Sequence, residues 1–231
     1  MLTLRLSQVR ARSWRGYNQE WLANRMSWLE PEAAAAFTKM NEACGQRIEY
    51  TDLYRSTLTQ ILAIKNANPE KKRLYAPPTK SGHNFGFSCD VAIKETLENF
   101  QKSKVTELVI ASRDRQALGR WMKDFGWTGI TTENWHFNFL GTHESAVKKI
   151  DTLYDLTLTN EDVQRALNAL LGKKIKPLAI DGQLGPKSHE AALLAVKVLG
   201  YADEGGFTPW FRRLLSGATV TIEEVPWATS T

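Results

Sequence analysis

Residues 135–140, Trp-His-Phe-Asn-Phe-Leu, alternate large apolar and polar side chains. A period of two belongs to a strand, with Trp135, Phe137 and Phe139 on one face and His136 and Asn138 on the other. A chain carrying such a run needs sheet partners, and two other segments can supply them. Residues 47–55 (RIEYTDLYR) alternate Ile48 and Tyr50 with polar neighbours, and residues 87–93 (FSCDVAI) form a short β-type run. Helical patterns lie between and before them. The N-terminal part reads as helical, with Pro31 at a helix start and EAAAAFTKMNEA running to a stop at Gly45. Ser56 can cap a helix through LTQILAIKNA, ended by Asn68-Pro69. Residues 69–84 are too polar and Pro-rich for an element and read as a surface loop. In TELVIASRDRQALGRWMKDFG an apolar segment leads into an amphipathic helix closed by Gly126.

The 231 residues suit one medium domain followed by one small one. An apolar fraction of 42% supplies a core and excludes wholesale disorder. No stretch of eighteen apolar residues occurs, so no membrane-spanning helix is expected. Arg5, Arg10, Arg12 and Arg15 interrupt the run that a signal peptide would need, which implies a protein made for the cytoplasm. Cys44 and Cys89 are too few for a disulfide framework and read as free thiols. Residues 1–150 carry 22 Lys+Arg against 15 Asp+Glu, and residues 151–231 carry 8 against 10. A basic first part suits nucleic acid or an anionic cell envelope, or is simply an ordinary basic surface. No nucleic-acid motif accompanies it, so nucleic acid is not expected as a partner.

The chemistry concentrates around two of the four histidines. One segment is Ser81-Gly82-His83-Asn84-Phe85-Gly86-Phe87-Ser88-Cys89-Asp90, and the other is Glu133-Asn134-Trp135-His136. A catalytic zinc takes three protein ligands and leaves a position open for water. His83, Asp90 and His136 supply two imidazoles and a carboxylate, and Glu133 is left over to take a proton from water. Gly86 permits a tight turn between His83 and Asp90. On a strand, Cys89 and Asp90 point to opposite faces, so Cys89 faces away from the metal. Glu133 and His136 are three apart, which places Glu133 in the loop leading into the strand. His143 is a rival ligand; otherwise His143 and His189 read as structural.

Residues 81–90 resemble the S-x-H-x-x-G-x-A-x-D pattern of the M15 metallopeptidases. That family includes D-Ala-D-Ala carboxypeptidases, VanX- and VanY-type enzymes and phage L-alanyl-D-glutamate endopeptidases. Glu133–His136 resembles its E-x-W/P-H, and Tyr54-Arg55-Ser56 resembles its Y-R-S. Ser88 departs from the pattern, standing where the family usually has alanine. The resemblance implies that His83, Asp90 and His136 bind Zn²⁺, that Glu133 is the base, and that Arg55 stabilises the tetrahedral intermediate. Ser81, Tyr54 and Trp135 are its candidate substrate-binding residues, with Trp135 packing beside the site. It also implies an α+β catalytic domain, a small antiparallel sheet flanked by helices, over residues 1–148.

Residues 149–231 hold a linker and a second module. Asn160 can cap EDVQRALNALLG, Ser188 can cap HEAALLAVKVLG, and TPWFRRLLSG is a third helical stretch. The loop with Asp181, Gly182, Gly185 and Ser188 resembles the D-G-x-x-G-x-x-T core of peptidoglycan-binding repeats, serine replacing threonine. A helical hairpin with a Gly-rich turn is the plainer alternative.

These resemblances together imply a monomeric phage endolysin whose partner is bacterial peptidoglycan. It would accumulate in the host cytoplasm and reach the wall after holin-dependent release. The favoured reaction is L-alanyl-D-glutamate cleavage in the stem peptide. A D,D-carboxypeptidase or D,D-endopeptidase of wall metabolism is the alternative, and a non-catalytic wall-binding protein with a structural zinc is the rival of another class.

Overall fold

The computed structural model describes residues 3–9, 12–13, 28–56, 59–60, 81–142, 158–198, 207, 211–212, 214–215 and 221–225. The chain divides into two compact units. One comprises Arg5–Arg55, Ser81–Ile150 and Glu223–Thr231; the other comprises Met1–Leu4, Ser56–Lys80 and Asp151–Ile222.

The described elements are β1 (Thr3–Gln8), β2 (Arg12–Ser13), β3 (Trp28–Leu29), α1 (Pro31–Ala43), β4 (Glu49–Asp52), β5 (Ser88–Val91), α2 (Ile93–Gln101), α3 (Thr106–Ala111), α4 (Arg115–Lys123), β6 (Trp127–Gly129), β7 (His136–Phe139), α5 (Asn160–Leu171), α6 (Pro186–Val198) and β8 (Thr221–Glu224). The fold class is α+β, as the sequence implies. Five strands lie in the order β2-β4-β5-β7-β6. All pairs in this sheet are antiparallel except β2–β4, which is parallel. The expected strands within 47–55, 87–93 and 135–140 are its three central members.

The N-terminal part departs from the helical expectation. β1 lies between β3 and β8 in a second, three-stranded sheet. Its pattern is period two: Leu4 and Leu6 are fully buried and Arg5 between them is exposed. Among the described residues the first helix starts at Pro31, where Glu30 caps α1 by accepting the Glu32 and Ala33 N–H groups at 2.9 and 3.1 Å. At the far end of the described residues, β8 pairs with β1. Val225 N–H donates to Leu6 O at 2.8 Å and Ser7 Oγ donates to Val225 O at 3.0 Å, so this segment belongs to the first unit's sheet. The 148/149 boundary itself falls outside the described residues, as do residues 61–80 and therefore most of the helix expected after Ser56.

The first unit's core packs Phe37 edge-on against Tyr50 and Trp127, and Trp127 against Phe139. Trp127 sits in β6, a strand of three residues too short to carry a periodic signal of its own. In the second unit, α5 and α6 bury Val163, Leu167, Leu171, Ala191 and Ala195 together with Phe211, Leu214 and Leu215. Residues 211–212 and 214–215 are helical, in line with the third helical stretch. The capping positions shift. Thr159, not Asn160, caps α5, through a reciprocal capping box with Asp162. α6 starts at Pro186, so Ser188 lies inside its first turn rather than at its cap.

Candidate active site

Three strands bring the acidic and imidazole groups to one level of the sheet. Asp52 in β4 is in register with Asp90 in β5, and Asp90 is in register with His136 in β7. His83 reaches the same place from a 3₁₀ turn, Gly82–Phe85, that precedes β5. The turn is closed by Gly86, whose φ of +75° places it in the left-handed region. A Cβ there would also meet the Glu30 backbone nitrogen at 2.5 Å. Two bonds tie the His83 turn to the segment carrying Arg55: Arg55 N–H donates to His83 O at 3.0 Å and Asn84 Nδ2 donates to Arg55 O at 2.8 Å.

His83 Nε2, Asp90 Oδ1 and His136 Nδ1 form a triangle with sides of 3.1, 2.9 and 3.2 Å. All three residues are buried. The second contacts of the rings fix which nitrogens face inward. Leu53 O can only accept, so His83 Nδ1, 2.6 Å away, is the donor and Nε2 keeps its lone pair in the neutral ring. His136 Nε2 faces Asn138 Oδ1 at 3.0 Å, so it carries the other proton and leaves the Nδ1 lone pair inward. Asp90 contributes an anionic oxygen. Burial works to raise its pKa, but positive charge on the two rings, when they are protonated, outweighs burial and holds the carboxylate well below its usual range. With both rings neutral in the tautomers their outer partners select, three lone pairs converge with no proton between them, an arrangement that a cation satisfies. Tetrahedral zinc with bonds of roughly 2.0–2.1 Å sets its ligand atoms about 3.3 Å apart, close to the sides of this triangle. Among the described residues no other trio of His, Cys, Asp or Glu side chains converges in this way.

Glu133 lies in the loop before β7, where the spacing had placed it. Its Oε2 is 3.9 Å from His136 Nδ1. Burial raises its pKa above 4.5, partly opposed by His136. Arg55 is nearly buried beside the triangle. Its Nε donates to Asp52 Oδ2 at 2.7 Å, its Nη2 closely contacts the same oxygen, and Nη2 lies 3.7 Å from Asp90 Oδ2. Asp52 thus orients the guanidinium, a role that its position three residues before Arg55 did not advertise.

Asn138 was likewise placed on the right face without a role. Its Oδ1 accepts from His136 Nε2 and from Ser88 Oγ at 2.6 Å, forming a Ser88–Asn138–His136 relay. Ser88, the departure from the family pattern, is accommodated because residue 82 is glycine: a Cβ there would collide with Ser88 Oγ.

The candidate substrate contacts divide. Ser81 and Tyr54 are buried, 5% and 3% exposed. Burial pushes the Tyr54 phenol up to about 12. Trp135 is 42% exposed, so it does not pack as support for the ligands; its carbonyl does, accepting from Val91 N–H at 2.9 Å. Cys89 is fully buried on the opposite face from Asp90, and burial pushes its thiol well up. His143 lies outside the described residues. His189 packs edge-on against Phe207, 4.8 Å between centroids, in a structural role.

In the second unit the four motif residues build one loop. Gln164, buried on α5, accepts from Asp181 N–H and Gly182 N–H at 3.0 and 2.9 Å, and donates to Asp181 Oδ1 at 2.8 Å. Gly182 has φ +73°, and a Cβ there would meet Glu161 Oε1 at 2.5 Å. Gly185 O accepts from Ser188 N–H at 2.9 Å. Gln164 is the organiser of this loop, and only its position on the buried face of a helix could have signalled it.

Two imidazoles and a carboxylate that could hold a metal ion lie beside a further carboxylate and an anchored guanidinium, groups that suit a hydrolase. Residues 26–142, 117 of the 231, match the family model described as VanY, D-alanyl-D-alanine carboxypeptidase, and the chain belongs to this family. It is accordingly a peptidase of the peptidoglycan-hydrolysing kind. Among solved structures it is similar to that of the LdcB LD-carboxypeptidase, described as revealing the molecular basis of peptidoglycan recognition. The identity is 18%, with 64% of this chain and 72% of that chain covered and a TM-score of 0.41. No curated protein sequence is similar at a significant level.

Proposed function

We propose that this chain is a zinc peptidase that hydrolyses an amide bond of the peptidoglycan stem peptide. The observation that carries the reading is the convergence of the His83 Nε2, Asp90 Oδ1 and His136 Nδ1 lone pairs, with Glu133 Oε2 3.9 Å from the last. His83, Asp90 and His136 would hold the metal. Zinc bound there supplies a Lewis acid that lowers the pKa of its water from 15.7 to about 7.

The chain's own groups do the rest. Glu133 takes the proton of the attacking water and returns it to the leaving amine, and its half-buried position suits a base that must also act as an acid. Arg55 donates to the carbonyl oxygen as negative charge develops on it. Asp52 and Asp90 hold the guanidinium ready, so little reorganisation is needed. Trp135, exposed two residues from Glu133, offers an aromatic surface to the substrate.

The family description favours the terminal D-alanyl-D-alanine bond. The L-alanyl-D-glutamate bond, with a lytic role for a phage, draws support from the second unit, whose Asp181–Ser188 loop resembles a peptidoglycan-binding repeat. On that reading the helical unit holds the enzyme on the wall as a monomer, and holin-dependent release gives it access.

Purified walls incubated with the protein, with and without chelator, test the proposal, and mass spectrometry of the released muropeptides names the bond. Free D-alanine identifies a carboxypeptidase, and new N-terminal D-glutamate an endopeptidase. Unchanged walls, or release that persists in Glu133→Ala, would overturn the mechanism.

A further inference from the structure

The loop of residues 130–135 joins β6 to β7 and carries Glu133. Thr131, Thr132, Asn134 and Trp135 are all exposed, so the loop has little packing of its own to hold it. Arg115, the first residue of α4, reaches into it. Its Nε donates to Asn134 O at 2.9 Å and its Nη2 donates to Ile130 O at 3.3 Å. These carbonyls stand on either side of Glu133 in the sequence. The guanidinium carbon also lies 4.8 Å from the centroid of the Phe137 ring, next to the ligand His136.

Space for the side chain depends on two glycines. A Cβ on Gly129 would collide with the guanidinium, and one on Gly119 would come within 3.2 Å of Nη1. The helix itself does not favour this residue, since a cation at a helix N-terminus opposes the macrodipole. What it reaches accounts for its place.

We propose that Arg115 is a positioning residue for the reaction: it clamps the loop on both sides of Glu133 and so sets that carboxylate against the metal centre. The inference rests on Glu133 being the base. A planar fork can bond two divergent carbonyls while stacking on a ring, which an ammonium group cannot do. Arg115→Lys should therefore keep one bond at most.

The test uses the full chain. In Arg115→Ala, kcat should fall by about 10–10²-fold, the effect of a slightly misplaced catalytic group, with KM and zinc content within twofold of the parent. Hydrogen exchange in a peptide covering residues 131–135 should accelerate, and Arg115→Lys should recover part of both effects. Parental kcat in Arg115→Ala overturns the proposal, as does a fall in kcat with unchanged loop exchange. Glu133→Gln separates the two readings. If it is inactive while Arg115→Ala is fully active, the clamp fails alone. If it is as active as the parent, the base assignment fails, while loop exchange still reports on the clamp.

Discussion

His83 Nδ1 lies 2.6 Å from the carbonyl oxygen of Leu53, and that hydrogen bond decides which nitrogen of the ring faces Asp90. Leu53 directly follows Asp52, the β4 residue in register with Asp90 of β5, and belongs to the segment that delivers Arg55. One stretch of backbone after β4 therefore sets the tautomer of a ligand and the place of the guanidinium. The second histidine is fixed in the same manner by a side chain, Asn138.

That difference makes Asn138 the more testable support. Asn138→Leu removes the acceptor for His136 Nε2–H and leaves the ring free to take the wrong tautomer. Zinc affinity should fall about 10–100-fold, the usual effect of losing such a partner. Competition with a chromophoric chelator measures it directly. Ser88→Ala should cost less, because the Ser88 hydroxyl bonds Asn138 Oδ1 and acts on the imidazole only through it.

Arg55 and Asp52 should separate by degree. Loss of one oxyanion donor costs about 10²–10³ in kcat, so Arg55→Ala should show a fall of that order with zinc content retained. Asp52→Ala leaves the guanidinium charged but removes its Nε partner, and should give a smaller fall in kcat at constant metal content. A steady-state assay on a synthetic stem peptide checks both. Equal activity in Asp52→Ala and the parent would show that Asp90 alone orients Arg55.

The cluster of candidate ligands was legible because each half of the motif is local: His83 and Asp90 share one turn and strand, and Glu133 and His136 share one loop and strand. The partners of these groups were not legible, because Asp52, Asn138 and Arg115 become neighbours only through sheet register and loop packing. Trp135 follows the alternation of β7 in sequence, yet it precedes the first paired residue, so its ring turns to solvent while its carbonyl bonds Val91. β1 was missed although Leu4 and Leu6 alternate with polar residues. Its partners, β3 and the distant β8, contribute short segments that carry no strong strand signal alone. The capping box at Thr159 was one residue away from the Asn160 expected to serve, a choice settled by which side chain meets the Asp162 amide.

That capping box gives a pH prediction for the helical unit. Thr159 Oγ1 accepts from Asp162 N–H at 3.1 Å and donates to Asp162 Oδ2 at 2.8 Å. The Thr159 hydroxyl is the main reason the Asp162 pKa is lowered on folding. A depressed carboxyl pKa stabilises the fold above the unfolded pKa, near 3.9, and that stability is lost as pH falls through the folded value. Thr159→Ala should therefore cost about 1 kcal/mol at neutral pH and less at pH 3. Helical thermal melts of the parent and variant at the two pH values measure the difference. A deficit that grew on acidification would contradict the assignment.

β8 ties residues 221–225 to the sheet that contains β1. Val225 N–H donates to Leu6 O and Ser7 Oγ donates to Val225 O, while β1 supports Gly86 from below: a Cβ on Gly86 would meet Leu6 Cδ2 at 2.9 Å. Deleting residues 221–231 removes these two hydrogen bonds together with the rest of the β1–β8 pairing, and exposes an edge of β1. At about 1 kcal/mol for each of these two bonds, the unit should lose at least about 2 kcal/mol. In a unit of this size that is a drop of roughly 4–8 °C in Tm. Val225→Pro removes the Leu6 bond alone, since proline has no N–H to donate, and should show a smaller drop. Calorimetry of the three proteins in chelator reads the effect without the metal's own contribution to stability. A truncated chain that melts with the parent would mean that β8 adds nothing to the fold of the unit that holds His83.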